Sequence, residues 1–202
     1  RHPVVIVGTG GAGKTRLAIE VAHLEMRNHP DGCYFVDLAP VTGSDSAGAA
    51  IARGCRIKIT GDDALAEIAE HFADRHALLI LDNCEHIIDG AAEMAAAIST
   101  GCPSTSVLAT SREGFGLRGE QLIAVTPLSP ADAGVELFNE RARAASHTFD
   151  PEVHLADVEE ICRRLDGVPL AIELAAARIT SLAPADLVDR LDDRLRLLTG
   201  GR

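Results

Sequence analysis

The chain has 202 residues, 47% hydrophobic, 24% charged and 3% aromatic, a composition that can fill a core and excludes disordered, collagenous and fibrous readings. The formal net charge of -11 argues against a nucleic-acid or anionic-membrane surface within this chain. The longest uncharged apolar runs, Ala77–Leu81 and Met94–Ile98, fall far short of the roughly 20 residues of a membrane span, and five scattered cysteines without a CxxC pair favour a reducing cytosol over a disulfide framework or a zinc site.

Val4-Val5-Ile6-Val7, an unbroken β-branched run ending at Gly8, reads as a central strand buried on both faces of a parallel sheet. Residues 14 to 28 carry Leu17, Ala18, Val21, Ala22 and Leu24 at helical spacing and close before the turn signal Asn28-His29-Pro30-Asp31-Gly32. Cys33 to Leu38 reads as a second strand, and Ser44 to Ile57 as a helix of weak amphipathicity. Leu65, Ile68, Ala69 and Phe72 give residues 62 to 74 one buried helical stripe. Ala77 to Leu81 follows as a third strand, 86 to 99 as a helix, and Ser106 to Ala109 and Gln121 to Val125 as two further strands. This alternation predicts an α/β fold with a mostly parallel five-stranded sheet covered on both faces.

Beyond Thr126-Pro127 the pattern becomes wholly helical. Ser129 is the expected N-cap and Pro130 the first helical residue of a helix marked by Val135, Leu137, Phe138 and Ala142. Val153 to Leu165, Pro169 to Leu182, and a segment with Leu187, Leu191, Leu195 and Leu198 make three more. The expected organisation is a nucleotide-binding domain over 1–127 and a small all-α subdomain over 128–202. Opening at Arg1 and stopping at Arg202, the chain reads as a piece of a longer protein.

Gly8-Thr9-Gly10-Gly11-Ala12-Gly13-Lys14-Thr15 satisfies G-x-x-x-x-G-K-[ST] between a buried strand and a helix, the context that distinguishes a P-loop from a chance Gly-rich turn. Small residues let the backbone wrap a phosphate closely, with N–H groups aimed inward at the positive end of the following helix. Lys14 would reach the β and γ phosphates and Thr15 would ligate Mg2+. Lys14 and Lys58 are the only lysines, so a chain that otherwise uses arginine carries one at the phosphate position.

Leu79-Ile80-Leu81-Asp82 delivers one carboxylate to the carboxyl edge of the sheet, where open α/β folds bind their ligands. Asp82 would hold Mg2+ opposite Thr15, although an Asp here also suits capping of the next helix. Asn83 stands where fast NTPases often place a second carboxylate; an amide orients water but does not take its proton, so weak catalysis is expected. Glu85 fits equally a substitute base and a first-turn acid favoured by a helix dipole. Arg112, at the end of the fourth strand, would contact the γ-phosphate; the competing reading is a surface salt bridge with Glu113 or Glu120. None of the eight histidines shows metal-ligand spacing.

These segments, with Gly8 to Ala18, Leu79 to His86, Ala109 to Glu113 and Asp166-Gly167-Val168-Pro169-Leu170 through Arg178, resemble the STAND class of P-loop ATPases. The similarity is greatest to the NB-ARC-like ATPase domains of bacterial LuxR-type and SARP-type transcriptional regulators. It implies a switch that ADP locks closed, that ATP opens, often with homo-oligomerisation, and that hydrolysis resets. Gly8, Gly10, Gly11, Ala12, Gly13, Lys14, Thr15 and Arg16 would cradle the adenine nucleotide, Arg112 would be the sensor, and Gly167, Pro169 and Leu170 would form the GxP element meeting the adenosine. The resemblance further implies winged-helix, sensor and DNA-binding or cyclase domains as partners elsewhere in the protein, and a cytoplasmic setting. The rival reading is a catalytic NTPase or phosphotransferase whose turnover is itself the function; a vestigial P-loop would predict erosion of Lys14, Thr15 or Asp82, and all three are intact.

Overall fold

Five strands form one sheet: β1 (Val4–Val7), β2 (Cys33–Asp37), β3 (Leu78–Asp82), β4 (Ser106–Ser111) and β5 (Gln121–Ala124). All the pairings are parallel and the order is β2-β3-β4-β1-β5, so the predicted α/β class with a parallel five-stranded sheet is what the chain forms. The computed structural model describes residues 2–41 and 47–199, those after 191 as backbone alone. Two compact units meet in sequence at Val125 and Thr126.

In the first unit, alternation along each strand sorts side chains between two layers. Ile6, Leu78, Ile80 and Leu108 face α1 (Lys14–Glu25) and pack with Ala18. Val5, Leu79, Leu81, Val107 and Ala109 face the opposite layer of α2 (Ala47–Gly54), α3 (Ala64–Phe72) and α4 (Ile88–Gly101), where Ile51, Ile68, Phe72, Met94 and Ile98 complete the larger core. Every residue of β3 is buried, as its uninterrupted apolar run requires. The Asp63 side chain caps α3 by accepting the Ala66 N–H at 3.0 Å. The expected helix over Ser44–Ile57 appears as α2, its first residues Ser44 to Ser46 lying outside the described set. The first helix ends at Glu25 rather than 28, and of its apolar residues at helical spacing Leu17 and Leu24 are exposed.

The second unit is helical: α5 (Ala133–Ala145), α6 (Leu155–Arg164), α7 (Pro169–Ala176) and α8 (Pro184–Thr199), with a 3-10 turn over Ala177–Thr180. Phe138, Ala142, Val158, Ile161, Cys162, Ile172, Ala176 and Leu187 make its core. Arg141 ties α5 to α7 through Glu173 at 3.0 Å, and Arg164 ties α6 to α8 through the Val188 carbonyl at 2.8 Å. Two local expectations are corrected. Asp132, not Ser129, is the N-cap of α5, because the Ser129 hydroxyl bonds Asp132 at 2.8 Å and its carbonyl accepts the Gly134 N–H, making Ser129 to Asp132 a turn ahead of the helix. The helix expected over Pro169–Leu182 is α-helical only to Ala176 before tightening to 3-10. Leu195 and Leu198 of the last helix lie beyond the described side chains.

Candidate functional site

The strand order places β4 between β1 and β3, so the loop after β1 and the carboxylate ending β3 converge on one sheet edge across the end of β4. Gly8 to Gly13 form that loop, and Gly13, at φ 99°, supplies the left-handed turn that starts α1. No side chain caps α1 and its first turn carries no acid, so its N-terminal N–H groups keep their anion-binding character. Gly8 and Gly11 are half-buried, Gly10 and Arg16 exposed, and Ala12 buried. Lys14, only 7% exposed, bends back over its own loop and donates to the carbonyls of Gly8 at 2.9 Å and Thr9 at 3.1 Å. A buried ammonium held by neutral carbonyls is poised to exchange them for a stronger, charged acceptor.

Asp82 is buried and is the hub of the edge. Its Oδ1 and Oδ2 accept the Thr15 hydroxyl at 2.9 and 3.0 Å, Oδ1 also accepts the Thr110 hydroxyl at 2.6 Å, and Oδ2 accepts the Asn83 amide at 2.9 Å. It caps no helix: the 3-10 turn Cys84–His86 that follows starts at Asn83 without a side-chain cap. Asn83 takes the left-handed conformation, φ 61°, and its N–H donates to Thr110 Oγ1 at 3.0 Å. The Asn83 amide nitrogen also donates to Asp37 Oδ1 at 3.1 Å.

Glu85 sits in the 3-10 turn and pairs with Arg112, Oε1 to Nε at 3.4 Å; Oε2 is buried and has no partner. Arg112 therefore pairs with neither Glu113 nor Glu120; the Glu120 carboxylate is taken by the N–H groups of Phe115 and Gly116. The neighbouring Cys84 thiol donates to the Leu81 carbonyl at 3.3 Å, and burial, then the charges of Asp82 and Glu85, push its pKa far up, leaving a neutral packing group.

Gly167, Pro169 and Leu170 belong to the second unit. Gly167, at φ 67°, exchanges a close backbone contact with Leu128, whose N–H it accepts at 2.9 Å; a Cβ there would lie 2.0 Å from the Leu128 carbonyl oxygen. Pro169 occupies the first turn of α7 and Leu170 is exposed.

Sequence reasoning gave Thr110 and Asp37 no role. Asp37 carried the same signal as Asp82, a carboxylate ending an apolar strand, but its meaning depends on β2 lying beside β3 with Asp37 in register with Asp82. Among the described residues no cluster of three or more His, Cys, Asp or Glu forms a metal cage, and no helix is long and apolar enough to cross a membrane.

No protein-family model matches the chain. It is 45% identical over 201 residues to a Mycobacterium tuberculosis protein named as an HTH-type transcriptional regulator, covering 98% of this chain and 22% of that protein. It is 32% identical over 187 residues to the regulatory protein AfsR of Streptomyces griseus, covering 87% and 18%. The chain thus spans about a fifth of the length of these regulators. Among solved structures it is similar to a signal transduction ATPase with numerous domains (STAND) from Pyrococcus horikoshii that carries a tetratricopeptide repeat sensor, with a TM-score of 0.55 and 20% identity over 95% of this chain and 30% of that one. It is also similar to Cdc6p of Pyrobaculum aerophilum, with a TM-score of 0.62 and 16% identity over 94% and 57%. The fold is that of P-loop ATPases, and the sequence relatives include an HTH-type transcriptional regulator and a regulatory protein.

Proposed function

We propose that this chain, homologous to a segment of transcriptional regulators and folded as a P-loop ATPase, is an ATP/ADP-binding switch whose output is a conformational change. The observation that carries the reading is the meeting of Thr15 and Asp82 at 2.9 and 3.0 Å beside the buried Lys14 ammonium. A hydroxyl and one carboxylate are hard oxygen donors of the kind Mg2+ takes when phosphates complete its shell, so the residues present fit that ion. When bound, Mg2+ would neutralise charge on the β and γ phosphates.

The chain's own groups do the rest. The loop N–H groups and the start of α1 bind the phosphates, with Gly8, Gly10, Gly11, Ala12, Gly13 and Arg16 forming the wall and Lys14 exchanging its two carbonyls for phosphate oxygens. Arg112 leaves Glu85 for the γ-phosphate, which makes its position report which nucleotide is bound. Asn83 orients water without taking its proton, so hydrolysis is slow. The start of α7, with Gly167, Pro169 and Leu170, would respond to nucleotide identity. In the full protein this switch would work with winged-helix, sensor and DNA-binding or cyclase domains in the cytoplasm, its conformational change accompanied by self-association.

Calorimetric titration of the chain with Mg-ADP and Mg-ATP, beside a phosphate-release assay, tests the reading. Wild type should bind both with turnover far below the roughly 10 per second of a median enzyme, and Lys14→Ala should lose about a hundredfold in affinity while melting cooperatively. Unchanged affinity in folded Lys14→Ala would remove the P-loop assignment. Brisk multiple turnover would replace the switch with a catalytic NTPase or phosphotransferase.

A further inference from the structure

Asn83 is held on three sides. Its backbone sits at φ 61°, its N–H is accepted by Thr110 Oγ1 at 3.0 Å, and its amide nitrogen bridges Asp82 Oδ2 at 2.9 Å and Asp37 Oδ1 at 3.1 Å. Two carboxylates on one side decide which way the amide points, because an oxygen turned toward them would meet two negative acceptors with no hydrogen to offer. The amide carbonyl oxygen therefore faces away from both. Asp37 is itself oriented by the Ala39 N–H, which donates to the same Oδ1 at 2.9 Å. Asp82 alone would leave the amide with one anchor and freedom to rotate.

We propose that Asp37 is a positioning residue for the hydrolytic step: acting from the edge strand through the Asn83 amide, it fixes the Asn83 carbonyl oxygen as the acceptor that orients the attacking water. The inference rests on the nucleotide-switch reading. It explains how a site with an amide rather than a carboxylate directly after Asp82 retains an ordered, slow hydrolysis. The water's oxygen bonds to the γ-phosphorus, the bond from that phosphorus to the bridging oxygen breaks, its electron pair leaves on ADP, and the water's proton passes to the released phosphate. Asp37 takes part in none of these transfers; it sets the direction from which the water arrives.

The test is a double-mutant cycle of Asp37→Ala and Asn83→Ala, read by single-turnover hydrolysis and by ATP and ADP affinity. Asp37→Ala should slow hydrolysis about tenfold with affinities within twofold of wild type, and should have no further effect in the Asn83→Ala background; Asp37→Glu, which keeps the acceptor, should recover part of the rate. An independent readout is the 15N side-chain amide resonance of Asn83 in the nucleotide-free protein, identified by its loss in Asn83→Ala. It should shift and gain solvent exchange in Asp37→Ala. An unmoved resonance, or equal slowing by Asp37→Ala with and without Asn83, would overturn the proposal. Failure of wild type to bind ATP would instead overturn the switch reading itself, and the resonance would still report whether Asp37 holds Asn83.

Discussion

The Thr110 hydroxyl donates to Asp82 Oδ1 at 2.6 Å while accepting the Asn83 N–H at 3.0 Å, so one fully buried side chain fixes both the last residue of β3 and the residue that follows it. Thr110→Val keeps the shape and removes the hydroxyl, leaving the half-buried Asn83 N–H without its acceptor and Asp82 Oδ1 with the Thr15 hydroxyl alone. Such loss costs about 1 to 3 kcal/mol. Urea unfolding of Thr110→Val should show a destabilisation in that range, with Thr110→Ser restoring most of it. Wild-type stability in the valine variant would mean that the hydroxyl anchors nothing.

Arg112 is largely exposed in its pair with Glu85, and exposed pairs contribute only about 0 to 1 kcal/mol. That is weak enough for a phosphate to displace. Glu85→Gln should therefore tighten ATP up to about fivefold and leave ADP unchanged, whereas Arg112→Ala should bring the ATP and ADP affinities together. Competition binding with both nucleotides checks the two variants. Retained discrimination in Arg112→Ala would take the γ-phosphate contact away from Arg112.

Gly167→Ala puts a Cβ 2.0 Å from the Leu128 carbonyl oxygen at a residue with φ 67°, so backbone and contact are both violated. The expected cost is about 2 to 4 kcal/mol. It should appear as a lowered melting transition or as early amide exchange confined to residues 126–191. An alanine variant as stable as wild type would show that the Leu128 contact yields readily, and that the glycine is not required by the helical unit's own packing.

The thiols of Cys55 and Cys162 are raised by burial, to about 12 and about 11, from an ordinary 9.0. The folded state thus holds these protons more tightly than the unfolded chain does. Their stabilisation is complete below pH 9 and is lost as pH rises through 11 to 12. Denaturant midpoints should fall between pH 9 and 11, and the fall should be shallower in Cys55→Ala with Cys162→Ala than in wild type. Identical slopes in the two proteins would assign the alkaline loss to other groups.

Much of this architecture is legible from one-dimensional pattern. Val4–Val7 and Leu78–Asp82 read as buried strands because both their faces are covered, and the Gly8–Thr15 loop declares itself between strand and helix. What the pattern hides depends on neighbours that are remote in sequence. Asp37 and Thr110 acquire meaning only because β2 and β4 flank β3, an order that alternating strands and helices do not specify. Glu85 and Arg112 each allowed two readings until the 3-10 turn after Asp82 brought them together. At Ser129 the local signal for a helix start was real but was outcompeted by a side-chain bond to Asp132 that moves the start three residues on.

Whether the chain responds to which nucleotide it holds is read by amide hydrogen exchange under saturating Mg-ADP and under a saturating non-hydrolysable ATP analogue with Mg2+. Protection should differ between the two states at Cys84–His86 and across Gly167–Ala176. Superimposable exchange profiles from two demonstrably saturated states would contradict the switch reading, because a ligand pair without differential effect on the conformations cannot operate a switch.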